Sequence, residues 1–388
     1  MTPIKLTKCS ICSKKKFQTY FKSMISLTSD RQVIFKDSQV GYCNNCNLIL
    51  NHKGVRRKKN KFYYEEYNLN GKKAEDEFRI YSKNNSGTES EIMANFFLSN
   101  SKINRTGSFI EIGAGKGLFL NQIKKKLKNY NFSAIEPSKY AAKYFKKNLP
   151  DVDFQQSVLE NTKFLKKKFD IVASTGVIEH VYNPVLFLKL ALKMLKRNGV
   201  IFLGVPNFAN KPDDLIVYDH LTKFTEKSLD NLYKKLNIEL LKRKTKHNST
   251  WIWDILKLNN NKKSFKTKVK VNEDKKLLRN NVSKIIKLEK KYLEYIKNND
   301  KLIFYGLGNI GFYFYFKFLN KNKKLIYIVL DNDNLRGTKF FGAKIISRND
   351  LKKLKLLTQN IYISANPKYH KIMKNNLIKE NFKGRIFY

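Results

Sequence analysis

Two Cys-x-x-Cys pairs, a glycine turn set between two glutamates, and two histidines that each follow an acidic residue are the groups whose types and spacing could do chemistry. The cysteines are Cys9 with Cys12 and Cys43 with Cys46, and the 388-residue chain has no others. A two-residue gap lets both sulfurs of a pair face one ion, and four thiolates complete the tetrahedral shell that structural Zn2+ takes. A closed shell leaves no position for a reactant. Such a metal is expected to fold its segment, which has little apolar core of its own, and to take no part in catalysis. Disulfides are the competing reading, disfavoured in a chain that reads as intracellular.

The glycine turn is Gly113-Ala114-Gly115-Lys116-Gly117, between the apolar strand Phe109-Ile110-Glu111-Ile112 and a helix opening at Leu118. Glycines there permit a tight turn and close approach of the backbone to a ligand. A second strand, Phe132-Ser133-Ala134-Ile135, ends in Glu136, nineteen residues past Gly117. An acidic side chain at that point can accept both ribose hydroxyls of an adenosine. The dinucleotide pattern G-x-G-x-x-G is not met, because Leu118 stands three residues after Gly115. The chain has five histidines, of which His180 follows Glu179 and His220 follows Asp219; His52, His247 and His370 lack a partner cluster and are expected at the surface.

These groups need elements to hold them. The length predicts two or three domains at roughly 100–200 residues each. Phe169–Thr175 reads as a strand, Leu186–Leu195 as a helix, and Asn198-Gly199 as a turn into the strand Val200–Asn207. Ile238–Thr245 and Thr250–Leu256, split by a polar turn, read as an antiparallel hairpin. Leu278, Val282, Ile285, Ile286, Leu293 and Ile296 recur at helical spacing. Beyond them, Lys301–Tyr305 leads into Gly306-x-Gly308-x-x-Gly311, and a further strand ends at Asp331. That is a second Rossmann-like unit, and its glycines serve either a dinucleotide or close helix–strand packing. The expected organisation is a metal module at 1–60, a helical connection at 61–104, an α/β domain at 105–258, a connecting helix at 259–298 and a second α/β domain at 299–388.

Hydrophobic residues make up 42% and aromatics 13%, enough to exclude wholesale disorder despite the charge. Lys plus Arg is 78 against 32 for Asp plus Glu, a formal balance of +46. A field of that size suits polyanions. The lysines, however, are spread along the whole chain among many Asn and Ile residues, as in A/T-rich coding sequence, so the charge carries little functional weight. No apolar run reaches the ~18–20 residues of a membrane span, and the first residues lack a secretory signal's apolar stretch. A cytoplasmic location is expected.

The segment from Glu111 to Gly117 resembles motif I of the class I S-adenosylmethionine (SAM) methyltransferases, and the strand order from about 85 to 258 continues the resemblance. It implies a Rossmann-like core in which Glu111, Gly113, Gly115 and Gly117 meet the amino-acid end of SAM and Glu136 its ribose, with Ser174 at the end of the fourth strand. The whole order of cysteine module, SAM domain and second Rossmann-like domain resembles the sugar C-methyltransferase family. Tyr64-Glu65-Glu66-Tyr67 resembles that family's stretch after the zinc module, which implies a sugar-pocket role for Tyr67. Tyr218-Asp219-His220-Leu221 resembles the family segment whose Glu-His pair does base chemistry. That implies His220 as base with Asp219 standing in for the glutamate, Tyr218 near substrate, and Glu179 and His180 as a second catalytic pair near the methyl donor. Val217 occupies the place of a family tyrosine, so both carbon and oxygen acceptors stay open.

Methyl transfer from a sulfonium is an in-line displacement that needs an aligned acceptor and a base. Methylation beside a keto group also needs an enolate stabilised. The expectation is a SAM- and Zn2+-containing methyltransferase acting on a sugar or nucleotide-sugar in polysaccharide or glycan biosynthesis. An RNA methyltransferase is the alternative, weakened because Ser174-Thr175-Gly176 stands where base-methylating enzymes carry Asn-Pro-Pro-Tyr. Nucleic acid is therefore a possible but disfavoured partner. A scaffold with a vestigial SAM site is the third reading, opposed by the intact glycine turn and Glu136.

Overall fold

Burial alternates along the first strand, where Phe17, Thr19, Phe21 and Ser23 turn inward, the period-2 pattern of a half-buried strand. The computed structural model describes residues 9, 11–15, 17–29, 33–34, 38–51, 79–82, 85–245, 249–259, 273–319, 324–331, 336–337, 339–340, 342–365 and 369–388. The chain divides into two units. Met1–Thr19, Val40–Lys211 and Asp219–Lys276 bound the first; Tyr20–Gln39, Pro212–Tyr218 and Leu277–Tyr388 bound the second.

The N-terminal strands are β1 (Phe17–Ser23), β2 (Ser26–Leu27), β3 (Val33–Ile34), β4 (Ser38–Cys43) and β5 (Leu48–Asn51). β4 and β5 form an antiparallel hairpin with Cys43 opposite Leu48. Within 61–104, read from sequence as a helical connection, an antiparallel hairpin of β6 (Arg79–Ser82) and β7 (Asn85–Thr88) precedes helix α1 (Glu89–Asn100). Thr88 caps that helix: its hydroxyl accepts from the Glu91 N–H while the Glu91 carboxylate accepts from the Thr88 N–H, a capping box.

The central sheet is built from β8 (Gly107–Ile112), β9 (Tyr130–Ile135), β10 (Asp153–Gln155), β11 (Phe169–Thr175) and β12 (Leu195–Pro206), followed by the short β13 (Thr222–Lys223) outside it, then β14 (Ile238–Lys244) and β15 (Trp251–Leu258). Its order is β10-β9-β8-β11-β12-β15-β14. The first five run parallel, and β15 is antiparallel to both its neighbours. Helices α2 (Leu118–Lys126), α3 (Lys139–Asn148), α4 (Pro184–Lys193) and α5 (Glu226–Leu236) connect the strands. Both faces are covered, so the parallel strands are apolar almost throughout. Ile110 and Ile112 pack with Phe187, Leu188 and Leu229 on one side, whereas Phe109 packs with Phe97, Phe119 and Phe202 on the other. Strand order reverses between β8 and β11. In an open α/β sheet the crevice outside the strands' C-terminal ends at such a point is where ligands bind.

One boundary differs from expectation. The helix read as Leu186–Leu195 starts at Pro184, capped by the Asn183 side chain, and ends at Lys193. Leu195 instead pairs with Phe169 and Val200 with Ile171, so the intervening residues form a bulge at the start of β12 rather than a separate turn.

The second unit carries most of α6 (Glu273–Lys297), then β16 (Lys301–Tyr305), α7 (Asn309–Phe314), β17 (Leu325–Val329), β18 (Lys339–Phe340), β19 (Ala343–Ile346), α8 (Arg348–Lys353), β20 (Ile361–Ile363), α9 (His370–Lys379) and β21 (Ile386–Phe387). Its sheet order is β18-β19-β17-β16-β20-β21, parallel except for β18. The third glycine of the fingerprint serves helix–strand packing, as it also does in a dinucleotide site. A Cβ at Gly311 would lie 2.7 Å from the Ser364 carbonyl oxygen, and the Gly308 N–H donates to that same oxygen. Among the described residues no helix is long and apolar enough to cross a membrane.

Candidate functional site

The C-terminal ends of β8 and β9 are tied together by the glycine turn. The Gly113 and Ala114 N–H groups both donate to the Ile135 carbonyl, at 2.7 and 3.1 Å. Gly113 sits at φ +71°, and a Cβ there would lie 2.3 Å from Cγ2 of Val177. Only glycine fits both demands. Glu111 points under the turn, where its Oε2 accepts from the Leu120 N–H at 3.1 Å. Burial, with a smaller push from the charge of Glu136, raises its carboxyl to about 8, although the Leu120 bond pulls the other way. Glu136 accepts from the Gly115 N–H at Oε2 and the Ser138 N–H at Oε1, both at 3.0 Å. Burial raises its carboxyl too, opposed by those two bonds. Two buried carboxylates at one crevice favour a ligand that brings positive charge.

Ser174, expected at the cofactor, turns its hydroxyl to the Ile112 carbonyl at 3.0 Å and so clamps β11 to β8. Sequence reasoning passed over Lys116. Its side chain is buried, with Nζ 4.7 Å from the Tyr140 ring centre and 5.8 Å from that of Tyr144, a cation–π arrangement. The signal was the pair of tyrosines one helical turn apart on α3.

Residues far apart in sequence meet beyond the end of β11. The carbonyl of Glu179 accepts from the Leu221 N–H at 2.7 Å and the Thr222 N–H at 3.1 Å. Nδ1 of His180 lies 3.0 Å from the Asp219 carbonyl oxygen and 3.5 Å from its Oδ2. The His180 and His220 rings stand edge to face, 4.7 Å between centres. A carboxylate oxygen of Glu179 and one ring nitrogen of each histidine all lie within 4.8 Å of one another. Glu179, Asp219 and His220 are buried and His180 is half-buried. The cluster adjoins the glycine turn through Val177. Trp251, which sequence reasoning also missed although the chain has only two tryptophans, comes within 3.5 Å of where a Gly176 Cβ would stand; Glu179 Oε1 is 3.7 Å from the same point.

Of the remaining expected residues, Tyr218 and His370 are described and the others are not. Tyr218 is buried in the second unit, its N–H donating to the Leu27 carbonyl at 2.6 Å. Tyr67, His52 and His247 lie outside the described residues. His370, expected at the surface, is half-buried in the second unit and its Nε2 lies 3.0 Å from the Ala365 carbonyl oxygen; burial lowers its pKa.

The four cysteines form one cluster. Sγ of Cys9 is 4.0 Å from that of Cys46, and Cys12 is 3.7 Å from Cys43. Four sulfurs about 2.3 Å from a tetrahedral ion would stand about 3.8 Å apart, so the set fits Zn2+. The Ile11 and Cys46 N–H groups donate to the Cys9 and Cys43 sulfurs, each at 3.4 Å. Hydrogen bonds from Cys46 and Cys9 push the Cys43 thiol pKa down, and hydrogen bonding to Cys43 raises those of Cys9 and Cys46. Ionising all four needs a cation among them. The hairpin behind this cluster reaches the histidine loop, since β13 pairs antiparallel with β5 and Thr222 lies opposite Leu50.

A separate groove of about 610 Å³ opens at the other end of the central sheet, among Lys124, Tyr130, Asp151, Asp153, Lys167 and Lys168. It holds none of the groups above; Lys124 pairs with Asp151 and Lys167 with Asp153.

Residues 88–243 match a family described as a methyltransferase domain, and the chain carries a class I SAM-dependent methyltransferase domain. A ubiquinone biosynthesis O-methyltransferase from Pelagibacter ubique is 37% identical over 73 residues, 19% of this chain and 29% of that protein. Its counterpart from Rickettsia canadensis is 28% identical over 133 residues, 33% of this chain and 55% of that protein. The chain thus spans about half or less of the curated relatives it matches. Among solved structures, the plantazolicin methyltransferase BpumL in complex with SAH is 17% identical, covering 44% of this chain and 82% of its own, with a TM-score of 0.37. A SAM-dependent methyltransferase from Clostridium acetobutylicum is 11% identical, covering 44% and 91%, also with a TM-score of 0.37.

Proposed function

We propose that this chain is a SAM-dependent methyltransferase whose acceptor is a sugar or nucleotide-sugar, with carbon methylation of a keto-deoxysugar favoured and oxygen methylation open. The observation that carries the reading is the contact of Val177 with Gly113, which puts the cofactor turn beside Glu179, His180, Asp219 and His220. SAM would supply an electrophilic methyl group on a positively charged sulfur. Glu111 and Glu136 are the groups to hold its amino-acid and ribose ends, and their buried carboxylates complement its charge. His220, with Asp219, is the base that takes the acceptor's proton. His180 is oriented by the Asp219 carbonyl, and Trp251 lies beside Glu179 at Gly176. The four thiolates hold Zn2+ as a fold element, with no open position for substrate.

The sugar assignment rests on the order of cysteine module, SAM domain and second Rossmann-like unit. A place in polysaccharide or glycan biosynthesis follows from it. Incubation with methyl-labelled SAM and a panel of nucleotide sugars, read by mass, tests it. A gain of one methyl on a keto-sugar nucleotide is expected. Transfer to RNA and to no sugar would overturn the acceptor class.

A further inference from the structure

We propose that Glu179, His180 and His220 form a second metal site, for a divalent transition-metal cation that grips the oxygen atoms of the methyl acceptor. The inference rests on the methyltransferase reading for its purpose; in it His220 is a ligand rather than the base proposed above, and the Asp219 carboxylate beside His180 takes the acceptor's proton. It does not need that reading for the binding itself.

One observation carries it, read with the coordination chemistry of divalent metals. One carboxylate oxygen and two imidazole nitrogens, each from a different residue, converge within 4.8 Å of one another. Donors on a cation at about 2.0–2.2 Å stand about 3–4 Å apart, so modest side-chain rotation closes the shell. Two histidines and one carboxylate are the donor set of open divalent sites, which leave positions for a ligand. That contrasts with the closed shell of four thiolates.

The supporting groups are also in place. Nδ1 of His180 faces the Asp219 carbonyl, an acceptor, so this nitrogen donates there and Nε2 would be the one to ligate a cation. Metal-binding histidines are commonly fixed by such an outer hydrogen bond. The two halves of the set are held in register by the backbone, because the Glu179 carbonyl takes the N–H groups of Leu221 and Thr222, directly after His220. Glu179 and His220 are 2% and 5% exposed. A buried carboxylate beside two imidazoles is a favourable seat for a dication. A cation there would hold vicinal oxygens, a diol or a keto–hydroxyl pair, and polarise the one that reacts.

The test uses the full chain with its cysteine site first filled with Zn2+. Mn2+ suits nitrogen and oxygen donors and competes poorly for thiolates. It is titrated while the free-ion paramagnetic resonance signal is followed, and SAM binding is measured by calorimetry on the same samples. The wild type is expected to bind one Mn2+ per chain. His180→Asn, His220→Asn and Glu179→Gln should each weaken Mn2+ at least about tenfold while keeping zinc content and SAM affinity. Any one of the three that keeps both decides the matter, so a misfolded variant does not. A wild type that binds no Mn2+ above its variants overturns the site. Failure to bind SAM with Mn2+ still bound overturns the methyltransferase reading instead.

Discussion

The backbone N–H of Asn51 donates to the carbonyl oxygen of Leu221 at 2.8 Å, so the strand leaving the Cys43–Cys46 knuckle is bonded to the residue that follows His220. Leu221 in turn donates to the Glu179 carbonyl. The strand behind the cysteine cluster is thereby bonded to the loop expected to handle the acceptor, and among the described residues no backbone hydrogen bond runs from it to the glycine turn.

A consequence is a split between the two functions when the metal is lost. Cys12→Ser, which removes one ligand, should abolish the bound zinc and lower turnover at least about tenfold, the scale of disturbing the support of a functional group. SAM affinity should change less than about threefold, because β8 and β9 do not depend on β5. Metal analysis and calorimetry read both. Full turnover in a zinc-free protein would remove the link.

Glu111 makes cofactor binding depend on pH. Its folded pKa, about 8, lies above the ordinary carboxylate value of 4.5, so the folded protein binds a proton there that the unfolded chain gives up. The stability it contributes is therefore full below the unfolded value and falls as pH rises toward 8. A cationic ligand favours the ionised form, so SAM affinity should climb between about pH 6 and 8 and then level. Calorimetry across that range should also show proton release on binding. Glu111→Gln should flatten the profile, and an unchanged profile in that variant would refute the assignment.

Gly113→Ala meets two obstacles, the positive φ and the 2.3 Å approach to Val177. Together they should cost about 2–4 kcal/mol of stability. Adding Val177→Ala relieves the clash but not the backbone strain, so the pair should recover only part of the loss. Denaturant titration of the two variants measures it; a stable single variant would contradict the packing described here.

His220→Ala should lose turnover by at least about a hundredfold, the usual worth of a positioned base, with SAM affinity preserved. The same loss is expected if the imidazole serves a cation, and metal binding separates the two. Retained turnover would leave His220 a packing residue.

Much of this was legible from sequence because its signals are local. Paired cysteines, a strand–glycine–helix run and apolar strands each fit in a window of a few residues, and the elements form close to the expected places, β12 starting at Leu195 rather than Val200. What the sequence hid is tertiary. β13 is two residues long and has no periodicity to betray its pairing with β5. Glu179-His180 and Asp219-His220 are some forty residues apart, and only the fold brings His180 to the Asp219 carbonyl. The bulge that takes Leu195 into β12 reflects sheet register, which competes with helical spacing at a helix end.

Isothermal titration of the full chain with SAM, beside the Glu136→Ala variant, tests the central claim most directly. Saturable heat at one equivalent per chain is expected, with an affinity at least about tenfold weaker in the variant, since hydrogen bonds to a carboxylate are worth about 1.5–3 kcal/mol. No heat from the wild type, or equal affinity in both proteins, would contradict that claim.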